Sequence, residues 1–543
     1  MRKVNTDCLP FCELREKEYY FIDKTLLIKD LLDRNEFGRY VFTRPHGFGK
    51  TTNLSMLDAF FNISYKDNKW FDGLEISKYR EYDCYRNAFP VIKLDLGNTA
   101  ADNMKSYLGK VRCAVLSSVS EHGYLKQYGG LQKYEVKLFK ALVDGTTTEE
   151  DILISVKVLS EVLERYHGKK AITLVDNYDC AVIDTFGTES QRSIMNFLGE
   201  LFSTFLKGNK SCQMAYVTGI IRMSDYGTFS GVNNICDNDI FSIDSDERFG
   251  FTENEVKKIL SDFGHPEKFD KVKSWYDGYT FGDTEVYNPY SVMKYIEMKF
   301  VPDSYWANSG NNVIIKWLLD KANDEEYNML SKLINGESYE VMLSPTLAYE
   351  DVKADSKTLL SLMAMAGYLK TVRVERRIYR VSVPNYEVME IVSDTVGNLI
   401  SNGPNYFDNF LISVRNADGK GMEVSMGKIL LGASYFNLRS EYSYQLVLMT
   451  LMSRFTDRYM VKTDSETGNG RADVILIPKS DAPMMIFELK KVDSEGELDG
   501  GLDEAVSQVH ERKYYLGAKG KVYIIAMAFC GKIPKVRVEE INV

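Results

Sequence analysis

Over the first 250 residues, short apolar runs that end in a polar residue alternate with stretches of helical periodicity. Runs at 39–42, 91–95, 171–176 and 213–218 predict strands, and 51–61 predicts a helix. Alternation of this kind predicts an α/β domain with a parallel sheet. Polar strand ends are expected where such a sheet faces a ligand. From about 253 to 365 the pattern is mainly helical, broken at 275–279 and 287–289. A helical stretch over 359–369 stops at Gly367, and alternation over 371–383 predicts a hairpin that ends at Pro384. Helix followed by hairpin is the outline of a winged helix. A linker is expected at 401–404, and 405–543 reads as helical and then strand-rich. The expected division is therefore 1–252, 253–404 and 405–543.

Two apolar runs near the end of the chain, 470–477 and 484–490, are joined by a Pro/Ser/Asp turn and predict paired strands. Residues i and i+2 of a strand share a face. Glu488 and Lys490 therefore project together while Leu489 turns to the core, and Asp473 joins them if the strands pair. Two carboxylates and an ammonium on an otherwise apolar hairpin suit a divalent cation and a phosphodiester. The competing reading is a surface hairpin with solvated charges.

A second candidate lies between the first strand and the first helix, at Thr43-Arg44-Pro45-His46-Gly47-Phe48-Gly49-Lys50-Thr51-Thr52. That is the setting of a P-loop, in which backbone N–H groups and a helix N-terminus cradle phosphates. Gly47, Gly49 and Thr52 would line the cradle, Lys50 would neutralise phosphate oxygens, and the Thr51 hydroxyl would ligate Mg²⁺. Arg44 stands where the usual first glycine belongs, so a plain Gly-rich turn is the alternative. The apolar strand ending at Asp176 supplies the acid expected beside Mg²⁺; its alternative is a helix cap. Asp179 follows closely and is a further candidate to contact the nucleotide. Thr218, ending the next strand, would sense the γ-phosphate or simply begin a turn.

Composition narrows the field. The chain has 543 residues, a formal charge of −10 and eight scattered cysteines without zinc-ligand spacing. An acidic balance argues against non-specific coating of nucleic acid, though not against a local basic track. No run of about 18 apolar residues predicts a transmembrane helix. Reduced cysteines in a cytoplasmic compartment are expected.

Taken together, these segments resemble AAA-ATPase-like proteins fused to a C-terminal PD-(D/E)xK nuclease-like domain. The resemblance rests on Phe21-Ile22-Asp23-Lys24-Thr25, the loop Arg44–Thr51, Val175-Asp176-Asn177-Tyr178-Asp179, and Thr218-Gly219-Ile220-Ile221-Arg222. It continues through 229–234, Trp275-Tyr276-Asp277-Gly278-Tyr279, Tyr287-Asn288-Pro289, Gly367-Tyr368-Leu369 and Val383-Pro384-Asn385. It closes on Gly470-Arg471-Ala472-Asp473 and Glu488-Leu489-Lys490. Arg44 is ordinary for this group. Asn177 is not: the pattern has Glu there, to polarise the attacking water, and an amide cannot accept that proton, which makes Asp179 the candidate to substitute.

The resemblance implies that Asp473 and Glu488 ligate Mg²⁺ or Mn²⁺ and that Lys490 orients or activates water. It places Gln508 near the metal water or phosphate, and Lys513 toward solvent or a DNA backbone, on a helix expected at 504–515. Glu441 is the candidate for a further acid, with an ordinary N-terminal helix charge as its alternative. The expected protein is an ATP-binding, metal-dependent nuclease, with DNA the expected substrate, whose P-loop domain hydrolyses ATP slowly. The rival is a nucleotide-gated scaffold with an inactive nuclease-like domain. Oligomeric state is not derivable from the sequence.

Overall fold

The computed structural model describes residues 3–7, 9–35, 37–99, 101, 103–186, 188–222, 235–308, 329–330, 332–333, 336–344, 356–400, 405–432, 438, 440–452, 455, 458–467 and 470–543. The motif at 229–234 and the expected linker at 401–404 lie outside these residues. The chain forms two compact units, Met1–Val313 with Met342–Val372, and Ile314–Val341 with Arg373–Val543. The fold is mixed α/β.

The first unit is organised by a parallel sheet of β1 (Arg39–Thr43), β2 (Val91–Asp95), β3 (Ala171–Asp176), β4 (Cys212–Gly219) and β5 (Ile235–Asn238). Its order is β2-β3-β4-β1-β5, so β4 lies between the strand entering the Gly-rich loop and the strand ending in Asp176. The first four strands are the expected ones. β5 has no apolar run to announce it, because its sequence, Ile-Cys-Asp-Asn, is half polar. Helices Met104–Glu121, Glu149–His167 and Ser190–Leu206 pack Tyr107, Val111, Leu159 and Phe202 against Val175 and Val217 in one buried cluster. The second of these helices begins where Thr148 and Asp151 exchange side-chain and backbone hydrogen bonds, 3.1 and 2.9 Å. It ends at Gly168, whose φ of 66° suits the left-handed cap.

The middle of the chain is mainly helical, interrupted by a hairpin of β6 (Tyr279–Phe281) and β7 (Thr284–Val286). The Trp275–Tyr279 motif reads as a packed turn and not as an open aromatic platform. Tyr276 and Tyr279 are buried. The Tyr279 and Phe281 rings meet Phe48 edge-on, at 4.8 and 4.9 Å between centroids. Farther on, β8 (Tyr339–Met342), β9 (Lys370–Glu375) and β10 (Ile378–Ser382) form a small sheet in the order β8-β10-β9. Helix Ser356–Ala366 precedes β9, so the expected helix-then-hairpin sequence is present.

The second unit holds a sheet of β11 (Tyr459–Thr467), β12 (Gly470–Pro478), β13 (Met484–Lys491), β14 (Lys521–Cys530) and β15 (Ile533–Asn542), in that spatial order. All neighbours are antiparallel except β13 and β14, which are parallel. A parallel pair needs a crossover. Helix Leu498–Arg512 supplies it, with Leu498, Leu502 and Ala505 buried against Ala526 and Ala528 of β14. The helix ends before the expected 515. Lys513, with a φ of 51°, is its left-handed cap and not part of its face.

Candidate active sites

The loop between β1 and helix Lys50–Phe61 turns through two left-handed glycines, Gly47 at φ 82° and Gly49 at φ 79°. Lys50, 5 % exposed, bends back and donates to the carbonyl oxygens of Arg44 and Pro45, both at 2.8 Å. Burial lowers its pKa to about 8 against the opposing pull of Asp176 and Asp179. Thr51 Oγ1 donates to Asp176 Oδ2 at 2.6 Å, and Thr218 Oγ1 donates to the other oxygen of the same carboxylate. Burial pushes Asp176 upward while those two hydroxyls and Lys50 hold it down. The expected constellation of Lys50, Thr51, Asp176 and Thr218 is thus assembled at the carboxyl ends of β1, β3 and β4.

Two neighbours do something other than what the sequence suggested. Asp179 is fully buried, and its Oδ2 accepts the backbone N–H groups of Ile220 and Ile221, both at 2.6 Å. Burial raises it to about 6. Arg44 points inward, donating to the carbonyls of Thr43 and Asn238 at 2.8 and 3.0 Å and to Asn238 Oδ1 at 2.5 Å. The rings of Phe249 and Phe281 flank it at 4.8 and 4.9 Å. Burial lowers Arg44 to about 10. It is a buttress under the loop.

Beside the loop lies a cavity of about 340 Å³, within the range of small-ligand sites. Lys50, Thr51, Thr52 and Asn177 form its polar end, and Phe21, Ile22, Phe251 and Met293 contribute apolar wall. Its dimensions and donor set suit a nucleoside polyphosphate, and the Thr51–Asp176 pair is the oxygen set that would hold its Mg²⁺. The Phe21–Thr25 motif is wall and strap. Asp23 accepts from Thr25 N at 2.9 Å and Glu75 N at 2.7 Å, and Lys24 donates to both Glu255 oxygens at 2.7 Å.

Sequence reading missed the clasp around this loop. The Gly47 carbonyl accepts Tyr290 N at 3.3 Å, and a Cβ on Gly47 would sit 2.6 Å from Asn288 Oδ1. Trp306 Nε1 donates to the His46 carbonyl at 3.1 Å. A Cβ on Gly367 would sit 2.7 Å from Pro45 Cβ. Motif order in the chain was visible; that these late motifs converge on one early loop was not.

In the second unit, β12 and β13 pair with Val474 opposite Phe487. The next step of that register sets Asp473 against Glu488. Asp473 Oδ2 accepts Leu489 N at 2.7 Å. Glu488 is 2 % exposed, and its Oε2 has no hydrogen-bond partner among the described residues. Burial, and then the neighbouring Asp473 charge, push its carboxyl well above the ordinary range, with Lys490 opposing. Lys490 Nζ stands 3.7 Å from Glu488 Oε1 and donates to Gln508 Oε1 at 2.8 Å. Gln508 in turn donates to the Tyr514 hydroxyl at 3.2 Å. Tyr514 thereby fixes the Gln508 amide.

Glu441, at the start of helix Glu441–Met452, accepts Lys491 N at 3.1 Å. Among the described residues no group of three or more His, Cys, Asp or Glu is placed to hold a metal. The pair Asp473 and Glu488 fits a divalent cation on one observation: a buried carboxylate oxygen without a partner is a costly arrangement unless a cation or proton satisfies it.

The chain matches the family described as predicted AAA-ATPase over residues 8–229, and the PD-(D/E)XK nuclease superfamily over residues 439–539. It carries an ATPase-like domain and a PD-(D/E)XK nuclease-like domain toward its C-terminus. An uncharacterized protein in the vnfD 5' region of Azotobacter chroococcum mcd 1 is 25% identical over 409 residues, 73% of this chain and 70% of that protein. A signal transduction ATPase with numerous domains and a tetratricopeptide repeat sensor, from Pyrococcus horikoshii, aligns with a TM-score of 0.26 at 15% identity. That alignment covers 80% of this chain and 52% of the other, so this chain spans about half the length of that protein. The Aeropyrum pernix ORC2 protein, in ADPNP–ADP complexes, aligns with a TM-score of 0.27 at 10% identity, over 68% of this chain and 93% of that one.

Proposed function

We propose that this protein is an ATP-binding, divalent-metal-dependent nuclease acting on nucleic acid, most simply DNA, with a P-loop domain that hydrolyses ATP slowly. The observation that carries the nuclease reading is the partnerless Glu488 Oε2 beside Asp473 and Lys490. Mg²⁺ or Mn²⁺ held by Asp473 and Glu488 would polarise the scissile phosphate and make bound water a nucleophile at neutral pH. Lys490, oriented by Gln508, supplies a positive charge beside the attacking oxygen and the phosphorane-like transition state. In the nucleotide cavity Lys50 stabilises the phosphates, while Thr51 and Asp176 hold the metal side. Asn177 in place of a carboxylate accounts for slow turnover. The three-part division at 252 and 404 and the winged reading of the β9–β10 hairpin belong to this proposal. So does DNA contact by the arginines of that hairpin, Arg373, Arg376, Arg377 and Arg380, the last of which also pairs with Glu340 at 2.7 Å. All seven described cysteines are free, which supports a reducing, cytoplasm-like compartment.

A second reading has its own observation. With no third acid or histidine grouped with Asp473 and Glu488 among the described residues, the domain would bind nucleic acid without cutting it. The test is incubation of the full chain with plasmid, linear and single-stranded DNA and with RNA, in Mg²⁺ or Mn²⁺, with and without ATP. Cleavage that disappears in Lys490→Ala supports the nuclease. No cleavage of any substrate in any condition transfers the case to the binding reading.

A further inference from the structure

We infer that Asp95, at the end of the strand next to the Asp176 strand, is the carboxylate that orients the water attacking the γ-phosphate, in place of the one lost at Asn177. The inference rests on the ATP-hydrolysing reading above and says which residue sustains the slow turnover. β2 and β3 run parallel with Asp95 in register with Asp176, so both acids leave the sheet at the same level. The Leu96 amide donates to the Asp176 carbonyl at 3.0 Å, which keeps the two strand ends together beyond the sheet. Asn177, the residue that follows β3, lines the nucleotide cavity with Lys50 and Thr51. Its Nδ2 lies 3.5 Å from Asp95 Oδ1. The side chain of Asp95 is therefore in hydrogen-bond contact with the amide that occupies the water-polarising position.

The other acid that sequence offered is excluded by its bonding. Asp179 spends one oxygen on two buried amides and is fully enclosed. Asp95 is exposed, and its Oδ1 accepts Gly97 N at 2.8 Å and Asn177 Nδ2 at 3.5 Å, which leaves its other oxygen outside both bonds. The turn that carries it is fixed from below, since Cys180 Sγ donates to the Gly97 carbonyl at 3.1 Å. A Cβ on Gly97 would lie 3.0 Å from Asn177 Nδ2 and 3.1 Å from Asp95 Oδ1, so glycine there leaves room between the two side chains. Asn177 itself adopts a φ of 55°, a left-handed backbone that Asn and Asp tolerate better than Glu. A carboxylate at 177 would face Asp95 at close range and repel it. With an amide at 177 the pair holds one carboxylate, that of Asp95.

The step balances without a further reactant. The water oxygen bonds to the γ-phosphorus as the bond to the β–γ bridging oxygen breaks. That electron pair stays on ADP. Asp95 accepts the hydrogen bond of the attacking water and passes its proton to the departing phosphate.

The test uses the full chain, a fluorescent ATP analogue for affinity and phosphate release for turnover. Asp95→Asn keeps the acceptor for Gly97 N and removes only the charge. It should bind nucleotide within about threefold of wild type and lose turnover roughly 10²-fold. Asn177→Asp, which suits the same backbone, should raise turnover by about tenfold or more, and in that background Asp95→Asn should cost less than about threefold. Wild-type turnover in Asp95→Asn with normal binding overturns the assignment. So does a wild type that binds nucleotide yet releases no phosphate above a Lys50→Ala control. Failure of wild type to bind nucleotide overturns the ATP reading itself, and is told apart by the binding arm.

Discussion

The two candidate sites are built from the same kinds of residue, a buried strand-end carboxylate and a nearby lysine, and differ in how completely those groups are satisfied. Around the phosphate loop the lysine and the strand-end acids are engaged: Lys50 on two carbonyls, Asp176 on two threonine hydroxyls, Asp179 on two amides. At the β12–β13 hairpin, Glu488 keeps one oxygen with no partner among the described residues, and burial with the Asp473 charge raises its carboxyl toward the protonated form. In the first site these three groups are bonded before any ligand arrives, so a ligand must exchange bonds with them. The second is incomplete without a cation or proton. Preorganisation and vacancy of bonding capacity are two ways to prepare for an anion and for a metal.

The largest expected difference is in cleavage. Asp473→Asn or Glu488→Gln should each reduce metal-dependent cleavage by at least about 10³-fold, measured on whichever nucleic acid the wild type cuts. Next comes stability. Asp179→Ala strips two buried amides of their acceptor and should cost roughly 2–4 kcal/mol in urea unfolding. Glu488→Gln in metal-free protein should cost little or nothing by the same measurement, because it replaces an acid that burial already keeps protonated. Equal losses in the two variants would erase the contrast between the sites. Smaller again, Lys50→Ala should weaken ATP binding roughly 10- to 100-fold, the worth of a charge-assisted contact. The gentlest probe is pH. Glu488 is raised above its ordinary 4.5 by burial and by Asp473, so a cation must displace a proton there. Mn²⁺ affinity, followed by calorimetry, should therefore strengthen with rising pH by up to about tenfold per unit. A pH-independent affinity would mean that Glu488 is already ionised.

Much of this contrast was legible in residue order. Strand parity alone set Glu488 and Lys490 on one face, and the structure places them 3.7 Å apart. The strand ending at Asp176 and the loop at Lys50 were likewise readable, because apolar runs and glycines report backbone class directly. What could not be read was satisfaction. Nothing in the sequence distinguishes Asp179, whose oxygen clamps Ile220 and Ile221, from an acid free to touch nucleotide. Nothing local marks Arg44 as an inward buttress, since its partners Asn238, Phe249 and Phe281 come from far along the chain. The same holds for Tyr514, whose bearing on Lys490 passes through Gln508.

The clasp on the phosphate loop bears on the order in which the molecule is made. His46 and Trp306 are 260 residues apart, and the loop also abuts Asn288 and Gly367. A ribosome has released Lys50, Thr51, Asp176 and Thr218 long before it reaches these later segments. A nascent chain ending near residue 229 would hold every side chain proposed to meet the phosphates and none of that outer wall. The cradle is therefore finished late in synthesis, and a truncated ATPase-like fragment should bind nucleotide less well than its own residue inventory suggests.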